Sequence, residues 1–223
     1  MVEIAQNLCL MIGDFFPEMK VQTTHGEKRL PQDYQGKWFI FFSHPGDFTP
    51  VCTTEYVEFQ ALSQEFTKFN TELIGLSVDQ VYPHLKWIEW IQQNLNIEIT
   101  FPVIADPAGE VSQKLGMLRR GRETRTVRTV YIIDPEGIIR LILIYPPEVG
   151  RNIYEILRIV QALQITDQCN GAAPANWPNN QLIQNHLIIS PAGNIDEIKE
   201  RNRQVQSGEI HCFDWWFCYK PIS

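Results

Sequence analysis

The stretch HPGDFTPVCTTEY, from His44 to Tyr56, follows the apolar run KWFIFFS at Lys37–Ser43 and decides how the fold is interpreted. The apolar run is short and rich in bulky side chains, which is typical of a buried strand. Thr49 lies where a helix N-cap is preferred, and Pro50 suits the first helical position. Cys52 is therefore expected in the first turn of a helix that follows the strand.

A cysteine in the first turn of a helix faces unpaired backbone N–H groups and the positive end of the helix dipole. Both features stabilise a thiolate, which is the nucleophilic form of the side chain. The local pattern predicts a reactive thiolate at Cys52, although a small buried cysteine at a helix start fits it too. Pro45 and Pro50 restrict the backbone before Cys52 and would hold such a thiolate in a fixed pocket.

The sequence around this stretch predicts alternating strands and helices. A helix over residues 51–70 and a second strand at Thr71–Asp79 would complete a βαβ unit with a parallel strand pair. The further predicted elements are a helix over 82–96, a strand over 101–106, two strands joined by a turn at Pro135–Gly137, and a closing helix over 151–167. The apolar face of the second helix is expected to contain Leu85, Ile88, Ile91 and Leu95.

The composition changes near residue 167, where Gly, Pro and Asn become frequent. We therefore predict an α/β domain over residues 1–166 and a C-terminal extension arm over residues 167–223. The arm has large aromatic side chains but no evident core of its own, so it is expected to pack on a second subunit as a dimerisation arm. These side chains are Trp177, Trp215, Trp216 and Phe217.

Charge and composition exclude several classes of protein. The formal net charge of -7 argues against binding to nucleic acid. No apolar run is long enough to span a bilayer, and the N-terminal residues lack the basic region of a signal peptide. We therefore expect a cytoplasmic protein with no membrane partner. The scattered cysteines and dispersed histidines predict neither a secreted disulfide framework nor a metal site.

Pro45, Thr49 and Cys52 match the Pro-x-x-x-Thr-x-x-Cys signature of the peroxiredoxins, and the chain resembles that family over nearly its whole length. The segment GRNIYEILRIVQALQITD and the long arm look like the one-cysteine-type class. The ending CFDWWFC is most similar to the archaeal-type thioredoxin peroxidases. The resemblance implies an α/β thioredoxin-like fold, with a central mixed sheet flanked by helices and a C-terminal extension arm. No cofactor is expected.

The signature cysteine of the peroxiredoxins is their peroxidatic nucleophile. The resemblance therefore implies that Cys52 attacks the O–O bond of a peroxide and becomes a sulfenic acid. It gives Thr49 the task of orienting the peroxide. Arg128 would stabilise the thiolate and bind the peroxide by hydrogen bonds.

Three further residues match supporting positions of the class. Arg151 matches a second arginine of the class. Glu55 matches an acid that holds the active-site arginine in place, and His44 matches a histidine near the pocket. The residues alone leave structural alternatives open. Arg128 could instead be a strand residue that pairs with an acid, and Arg151 a solvated residue at a helix start. Glu55 could be an ordinary carboxylate in the first turn of a helix, and His44 a structural histidine.

Cys212 and Cys218 enclose the short segment FDWWF, a spacing that is typical of neither a tight redox loop nor a zinc finger. The resemblance implies that one of them, from a partner subunit, resolves the sulfenic acid, with Cys218 the first choice and Cys212 the second. Thioredoxin or a similar dithiol would then recycle the enzyme. Homodimers are expected to assemble into larger rings such as decamers or dodecamers. Cys9 and Cys169 are expected to play no part.

Two other functions compete with this interpretation. A dithiol–disulfide oxidoreductase on the same fold would favour Cys-x-x-Cys at the helix start, and no second cysteine follows Cys52 at that spacing. A holdase chaperone or scaffold built from large rings would use the aromatic arm but would leave Thr49, Cys52 and Arg128 without a role. We therefore expect a thiol-dependent peroxidase that reduces hydrogen peroxide and organic hydroperoxides in antioxidant defence.

Overall fold

The structure, a computed structural model, describes residues 10–118 and 125–222, so Cys9 lies outside the described residues. It divides into two compact units, Met1–Tyr154 and Glu155–Ser223. The change in composition placed the boundary later, after residue 166. It lies earlier in the structure because most of the long helix that follows residue 152 belongs to the second unit, where Arg158 Nη1 donates to the carbonyl oxygen of Trp177 at 3.0 Å.

A mixed sheet organises the first unit. In the described part of this unit its strands are β1 Met19–Thr23, β2 Gly26–Leu30, β3 Trp38–Ser43, β4 Thr71–Ser77, β5 Val103–Ala105, β6 Arg128–Ile133 and β7 Ile139–Tyr145. Their order is β2-β1-β5-β4-β3-β6-β7. β3 pairs in parallel with β4, and β4 in parallel with β5, whereas the other neighbours are antiparallel. The predicted parallel βαβ unit is confirmed.

The helices are α1 Pro50–Ala61, α2 Ser63–Lys68, α3 Val81–Leu95, α4 Glu110–Lys114, α5 Ile153–Cys169 and α6 Ile195–Ser207. The single helix predicted over residues 51–70 is therefore wrong. Leu62 interrupts it with φ −94° and ψ 2°, and its backbone N–H contacts the carbonyl oxygens of both Glu58 and Gln60. Among the helices of the described residues, none is long and apolar enough to cross a membrane.

Strand β3 is buried on both faces, which explains its unbroken apolar sequence. Successive side chains point to opposite faces of a strand. Phe39 and Phe41 contact Phe16 in the core on one face, whereas Phe42 stacks on Phe59 of α1 with ring centroids 4.1 Å apart. Packing on both faces fixes the position of the C-terminal end of β3. The loop over residues 44–49 then connects this end to α1.

The predicted apolar face of α3 is correct for Ile91 but wrong for Leu85 and Leu95. The helix buries His84, Trp87 and Ile91, whereas Leu85 and Leu95 are exposed. A buried polar side chain is tolerated when its polar atoms are hydrogen-bonded. Both ring nitrogens of His84 contact oxygen atoms inside the protein, so the helix can turn this histidine inward without an unpaired polar group.

The C-terminal arm is folded, although the sequence suggested no core of its own. Strands β8 His186–Ile189, β9 His211–Asp214 and β10 Phe217–Pro221 form an antiparallel sheet in the order β8-β10-β9. Leu187 and Ile210 are buried in this unit. Trp177 is buried as well, whereas Trp215 and Trp216 are exposed at the turn between β9 and β10.

Candidate active site

Cys52 lies in the first turn of α1, where the sequence predicts it. The helix begins at Pro50, and Thr49 occupies the N-cap position in an extended conformation. The Thr49 side chain does not cap the helix, because its Oγ1 donates to the carbonyl oxygen of Gly46 at 2.9 Å. The Cys52 side chain is fully buried. The sulfur therefore lies away from bulk water, at the positive end of the helix dipole.

Arg128 contacts Cys52 directly. Its Nη1 lies 3.3 Å from Cys52 Sγ and also donates to Glu55 Oε2 at 2.7 Å. On the other edge of the guanidinium, Nε and Nη2 donate to the carbonyl oxygen of Pro147 at 3.0 and 2.8 Å. Bonds on both edges fix the plane of the guanidinium, and a fixed donor is the kind that stabilises developing charge.

Glu55 joins Arg128 to Arg151. Its Oε1 accepts from the backbone N and from Nε of Arg151, both at 2.8 Å, and its Oε2 accepts from Arg151 Nη2 at 2.6 Å. Arg151 Nη1 donates to the carbonyl oxygens of Ser43 and Thr129 at 2.9 and 3.2 Å. Arg151 is thus a buried arginine that ties α1 to the ends of two strands.

The charged groups of this cluster leave an excess of positive charge beside Cys52. Burial alone would raise the pKa of Glu55, but the charge and hydrogen bonds of Arg151, with the charge of Arg128, hold that pKa below its ordinary value. Glu55 is therefore an anion between two cations. Two guanidinium groups and one carboxylate leave an excess of positive charge, which attracts an anion at this place.

His44 does not join the arginine cluster. It follows β3, is fully buried, and contacts Tyr56 Oη with Nδ1 at 3.0 Å and Asp47 Oδ1 with Nε2 at 2.9 Å. Pro45 is buried beside it in the loop that leads to Thr49. The sequence interpretation missed Tyr56, Asp47 and His84, which complete this second network. The position of Tyr56 one helical turn after Cys52 is the signal that could have indicated it.

An apolar groove of about 500 Å³ lies beside the start of α1. It is lined by one face of α1, by Phe48, and by Trp87, Trp90 and Leu95 of α3. Thr49 and Pro50 line the same groove. An apolar ligand group bound there would lie next to the helix start that carries Cys52.

Cys212 and Cys218 are bonded to each other by a disulfide. They are opposite residues of β9 and β10, so the hairpin brings the two side chains together. The spacing of the two cysteines alone did not indicate this pairing, because the pairing depends on the hairpin. The structure places this pair in the second unit and Cys52 in the first.

Comparisons with known proteins agree with the sequence motif. The sequence profile of the AhpC/TSA family matches residues 12–142. A peroxiredoxin of Thermotoga maritima is 58% identical over 212 residues, which cover 95% of this chain and 97% of the relative. A peroxiredoxin of the archaeon Methanocaldococcus jannaschii is 57% identical over 215 residues, covering 96% and 99% of the two chains.

Two solved structures have the same fold over nearly the whole chain. A cysteine-to-serine mutant of peroxiredoxin 6 from Arenicola marina has a TM-score of 0.83 at 30% identity, covering 96% of this chain and 99% of that chain. A yeast mitochondrial 1-Cys peroxiredoxin has a TM-score of 0.81 at 35% identity, covering 95% and 99%. The predicted resemblance and the thioredoxin-like fold are confirmed. The chain belongs to the AhpC/TSA family of peroxiredoxins, which are thiol peroxidases.

Proposed function

We propose that Cys52 is the peroxidatic nucleophile of this antioxidant peroxidase. The observation that carries the assignment is the 3.3 Å contact between Cys52 Sγ and Arg128 Nη1 at a buried helix start. The thiolate attacks one peroxide oxygen and the O–O bond breaks. Cys52 becomes a sulfenic acid, and the other oxygen takes up a proton and leaves as water or as an alcohol.

Thr49 and Arg128 bind the peroxide in this proposal. The Thr49 hydroxyl uses its hydrogen on the carbonyl oxygen of Gly46, so its oxygen can accept a hydrogen bond from the peroxide O–H. Arg128 can donate to the peroxide oxygens and stabilise the negative charge that moves onto the leaving oxygen. Pro45 shields the pocket, while Glu55 and Arg151 hold Arg128 in place.

Replacement of the nucleophile tests the assignment. Cys52→Ser should abolish consumption of hydrogen peroxide with dithiothreitol as the electron donor, because a hydroxyl does not ionise at neutral pH. The matched control is Cys169→Ser, which removes a thiol at the end of α5 and should leave the rate unchanged. Substantial activity in Cys52→Ser would show that another group reacts with the peroxide.

The apolar groove supports organic hydroperoxides as further substrates. Phe48 and Trp90 line it beside Thr49, so the organic group of a hydroperoxide could occupy it while the O–O bond reaches Cys52. Apolar contact with such a group stabilises its binding, whereas hydrogen peroxide has no group to fill the groove.

A C-terminal cysteine of a partner subunit resolves the sulfenic acid in this proposal, with Cys218 the first choice and Cys212 the second. The Cys218 thiol displaces water from the sulfenic acid of Cys52 and forms a mixed disulfide. The Cys212 thiolate then attacks Cys218, which releases the Cys52 thiolate and forms the Cys212–Cys218 disulfide. The bonded state of this pair in the hairpin supports the last step.

A dithiol of the thioredoxin type would reduce the Cys212–Cys218 disulfide and complete the cycle. The yeast relative is described as resolved through glutathione and thioredoxin systems. Exposed Phe213, Trp215 and Trp216 support a homodimer in which this hairpin is covered, with dimers assembling into larger rings. Light scattering tests this assembly, since a single-chain mass at micromolar concentration would contradict it. A cytoplasmic location stays a prediction.

A further inference from the structure

A second buried network lies beneath the loop that joins β3 to α1. The two oxygens of the Asp47 carboxylate contact two histidines, with Oδ1 2.9 Å from His44 Nε2 and Oδ2 2.7 Å from His84 Nδ1. The side chains of both histidines are fully buried, and that of Asp47 is 1% exposed. A buried carboxylate needs its charge compensated by nearby groups.

The contacts of His84 require two protons on its ring. Its Nε2 lies 3.1 Å from the carbonyl oxygen of Ile104, which can only accept a hydrogen bond. Its Nδ1 faces the Asp47 carboxylate, which when ionised is also only an acceptor. A neutral imidazole has a single N–H and could satisfy only one of these contacts. His84 is therefore an imidazolium if Asp47 is ionised.

Asp47 is the negatively charged member of the Asp47–His84 pair. Burial alone would raise its pKa, but the hydrogen bonds from His44 and His84 hold that pKa below its ordinary value. The Asp79 carboxylate also faces the network, because its Oδ2 accepts from the backbone N of Asp47 at 2.9 Å.

His44 needs only one proton. Its Nε2–H donates to Asp47, and its Nδ1 accepts from the Tyr56 hydroxyl. Burial lowers the pKa of His44 and outweighs the opposing effect of Asp47, while burial and nearby negative charge raise the pKa of Tyr56 well above its ordinary value. The network thus contains one cation at His84, one anion at Asp47, and the neutral side chains of His44 and Tyr56.

The network reaches both sides of the proposed peroxide pocket. Asp47 belongs to the loop that ends at Thr49, and the next residue, Phe48, has a positive φ of 55°, a conformation that surrounding contacts must maintain. Tyr56 lies on α1, one turn after Cys52. His84 on α3 is the donor that holds the Asp47 side chain between these parts.

We propose that His84 is a positioning residue of the peroxidase site, and that as a buried imidazolium it holds Asp47, and through Asp47 the loop that places Thr49 beside Cys52. This inference rests on the proposed role of Cys52. The imidazolium donates to Asp47 and to the Ile104 carbonyl at once, which no neutral side chain of similar shape can do while also balancing the carboxylate charge.

The protonation of His84 is tested on the whole reduced protein. Nitrogen-15 NMR of histidine-labelled, chelator-treated protein at neutral pH should show a proton on both ring nitrogens of His84 and on one ring nitrogen of His44. The His84→Asn spectrum assigns the signals. A ring nitrogen without a proton in His84 overturns the proposal. A stoichiometric metal ion bound by the untreated protein also overturns it, since an ion held by the same three side chains would replace the proton.

Two variants test positioning. In His84→Asn the amide NH₂ can take the place of Nδ1 and donate to Asp47, whereas in His84→Gln it can take the place of Nε2 and donate to Ile104. We expect the rate constant for Cys52 oxidation to fall about 10-fold in His84→Asn and about 100-fold in His84→Gln. The Oδ2 atom of Asp47 loses its charged side-chain partner in the first variant and has no donor from position 84 in the second, whereas His44 still contacts Oδ1 in both. His25→Asn, at an exposed histidine, is the matched control and should keep the wild-type rate.

The outcomes separate the two proposals. Equal rates for wild type, His84→Asn and His84→Gln would overturn the positioning role while leaving Cys52 as the nucleophile. Equal losses in the two variants, together with equal losses of thermal stability, would mean a merely structural role and also overturn it. Activity retained by Cys52→Ser would overturn the proposed nucleophile, and the NMR result would still report the charge of His84.

Discussion

Arg128 Nη1 lies 3.3 Å from Cys52 Sγ, and the same nitrogen donates to Glu55 Oε2 at 2.7 Å. One guanidinium nitrogen therefore connects the candidate nucleophile to a buried carboxylate. Because the bonds to Glu55 and to Pro147 fix the guanidinium before a peroxide arrives, its donors need little reorganisation during the reaction. The account of catalysis depends on this preorganisation.

Arg128→Lys should lower the rate constant for oxidation by hydrogen peroxide by about 100-fold. A lysine keeps the positive charge but cannot donate to Cys52, Glu55 and the Pro147 carbonyl together. Stopped-flow measurement of Cys52 oxidation checks this expectation. Arg140→Lys is the matched control, because Arg140 lies on the neighbouring strand β7 and contacts Asp134. A similar rate in Arg128→Lys and wild type would mean that charge alone suffices.

Glu55→Gln should reduce the free energy of unfolding by about 3–5 kcal/mol at neutral pH, because it leaves two buried arginines without their anion. The pKa of Glu55 is lower in the folded protein than its ordinary value of 4.5, so its contribution is present above that value and is lost as the pH falls through the folded pKa. The stability difference from wild type should therefore shrink in acid.

Denaturant unfolding of Glu55→Gln, at neutral pH and at several acidic pH values, checks the size and the direction of this effect. Glu58→Gln is the control, since Glu58 is an exposed carboxylate on the same helix. A stability difference that stays constant or grows in acid would contradict the ionised state assigned to Glu55.

Trp90→Ala should slow the reduction of a bulky organic hydroperoxide by about tenfold, equivalent to about 1.4 kcal/mol, with little effect on hydrogen peroxide. Trp90 lines the apolar groove beside Thr49, and hydrogen peroxide has no group that contacts it. Competition kinetics with cumene hydroperoxide and hydrogen peroxide give the ratio directly. Tyr82→Ala removes an exposed aromatic ring from the same helix and serves as the control. Equal slowing of both peroxides would exclude the groove as a substrate site.

Peroxide treatment should produce a covalent dimer on a non-reducing denaturing gel, and Cys218→Ser should abolish it. The reason is that Cys218 is the cysteine expected to form the disulfide with Cys52 of the partner subunit. The first oxidation of Cys52 should keep its rate, whereas turnover with thioredoxin should stop. Cys212→Ser should instead accumulate the mixed disulfide, and Cys169→Ser is the control. A dimer band of wild-type intensity in Cys218→Ser would assign resolution to another cysteine.

The parts of the structure that the sequence predicts correctly rest on strong local signals. The run from Trp38 to Ser43 is apolar at nearly every position because both faces of β3 are buried. Thr49, Pro50 and Cys52 combine a preferred N-cap, a preferred first helical residue and a family signature. Three signals at one place are enough to locate the helix start.

The parts that the sequence did not predict depend on distant contacts or on weak patterns. Hairpin β1–β2, at Met19–Thr23 and Gly26–Leu30, gives a weak signal because its strands are short and Leu30 is the one buried residue of β2. His84 contacts Asp47 across 37 positions, so no local pattern marks its role. The pairing of Cys212 with Cys218 follows from the register of β9 and β10, which composition does not reveal.

Trapping of the first oxidation product tests the central claim most directly. The reduced protein is treated with one equivalent of hydrogen peroxide in the presence of dimedone, which reacts with sulfenic acids, and the label is mapped by peptide mass spectrometry. The account predicts a single label on Cys52, formed at the rate at which peroxide is consumed, and a loss of that rate in Arg128→Lys. Peroxide consumption with the label on Cys169, Cys212 or Cys218 and none on Cys52 would contradict it.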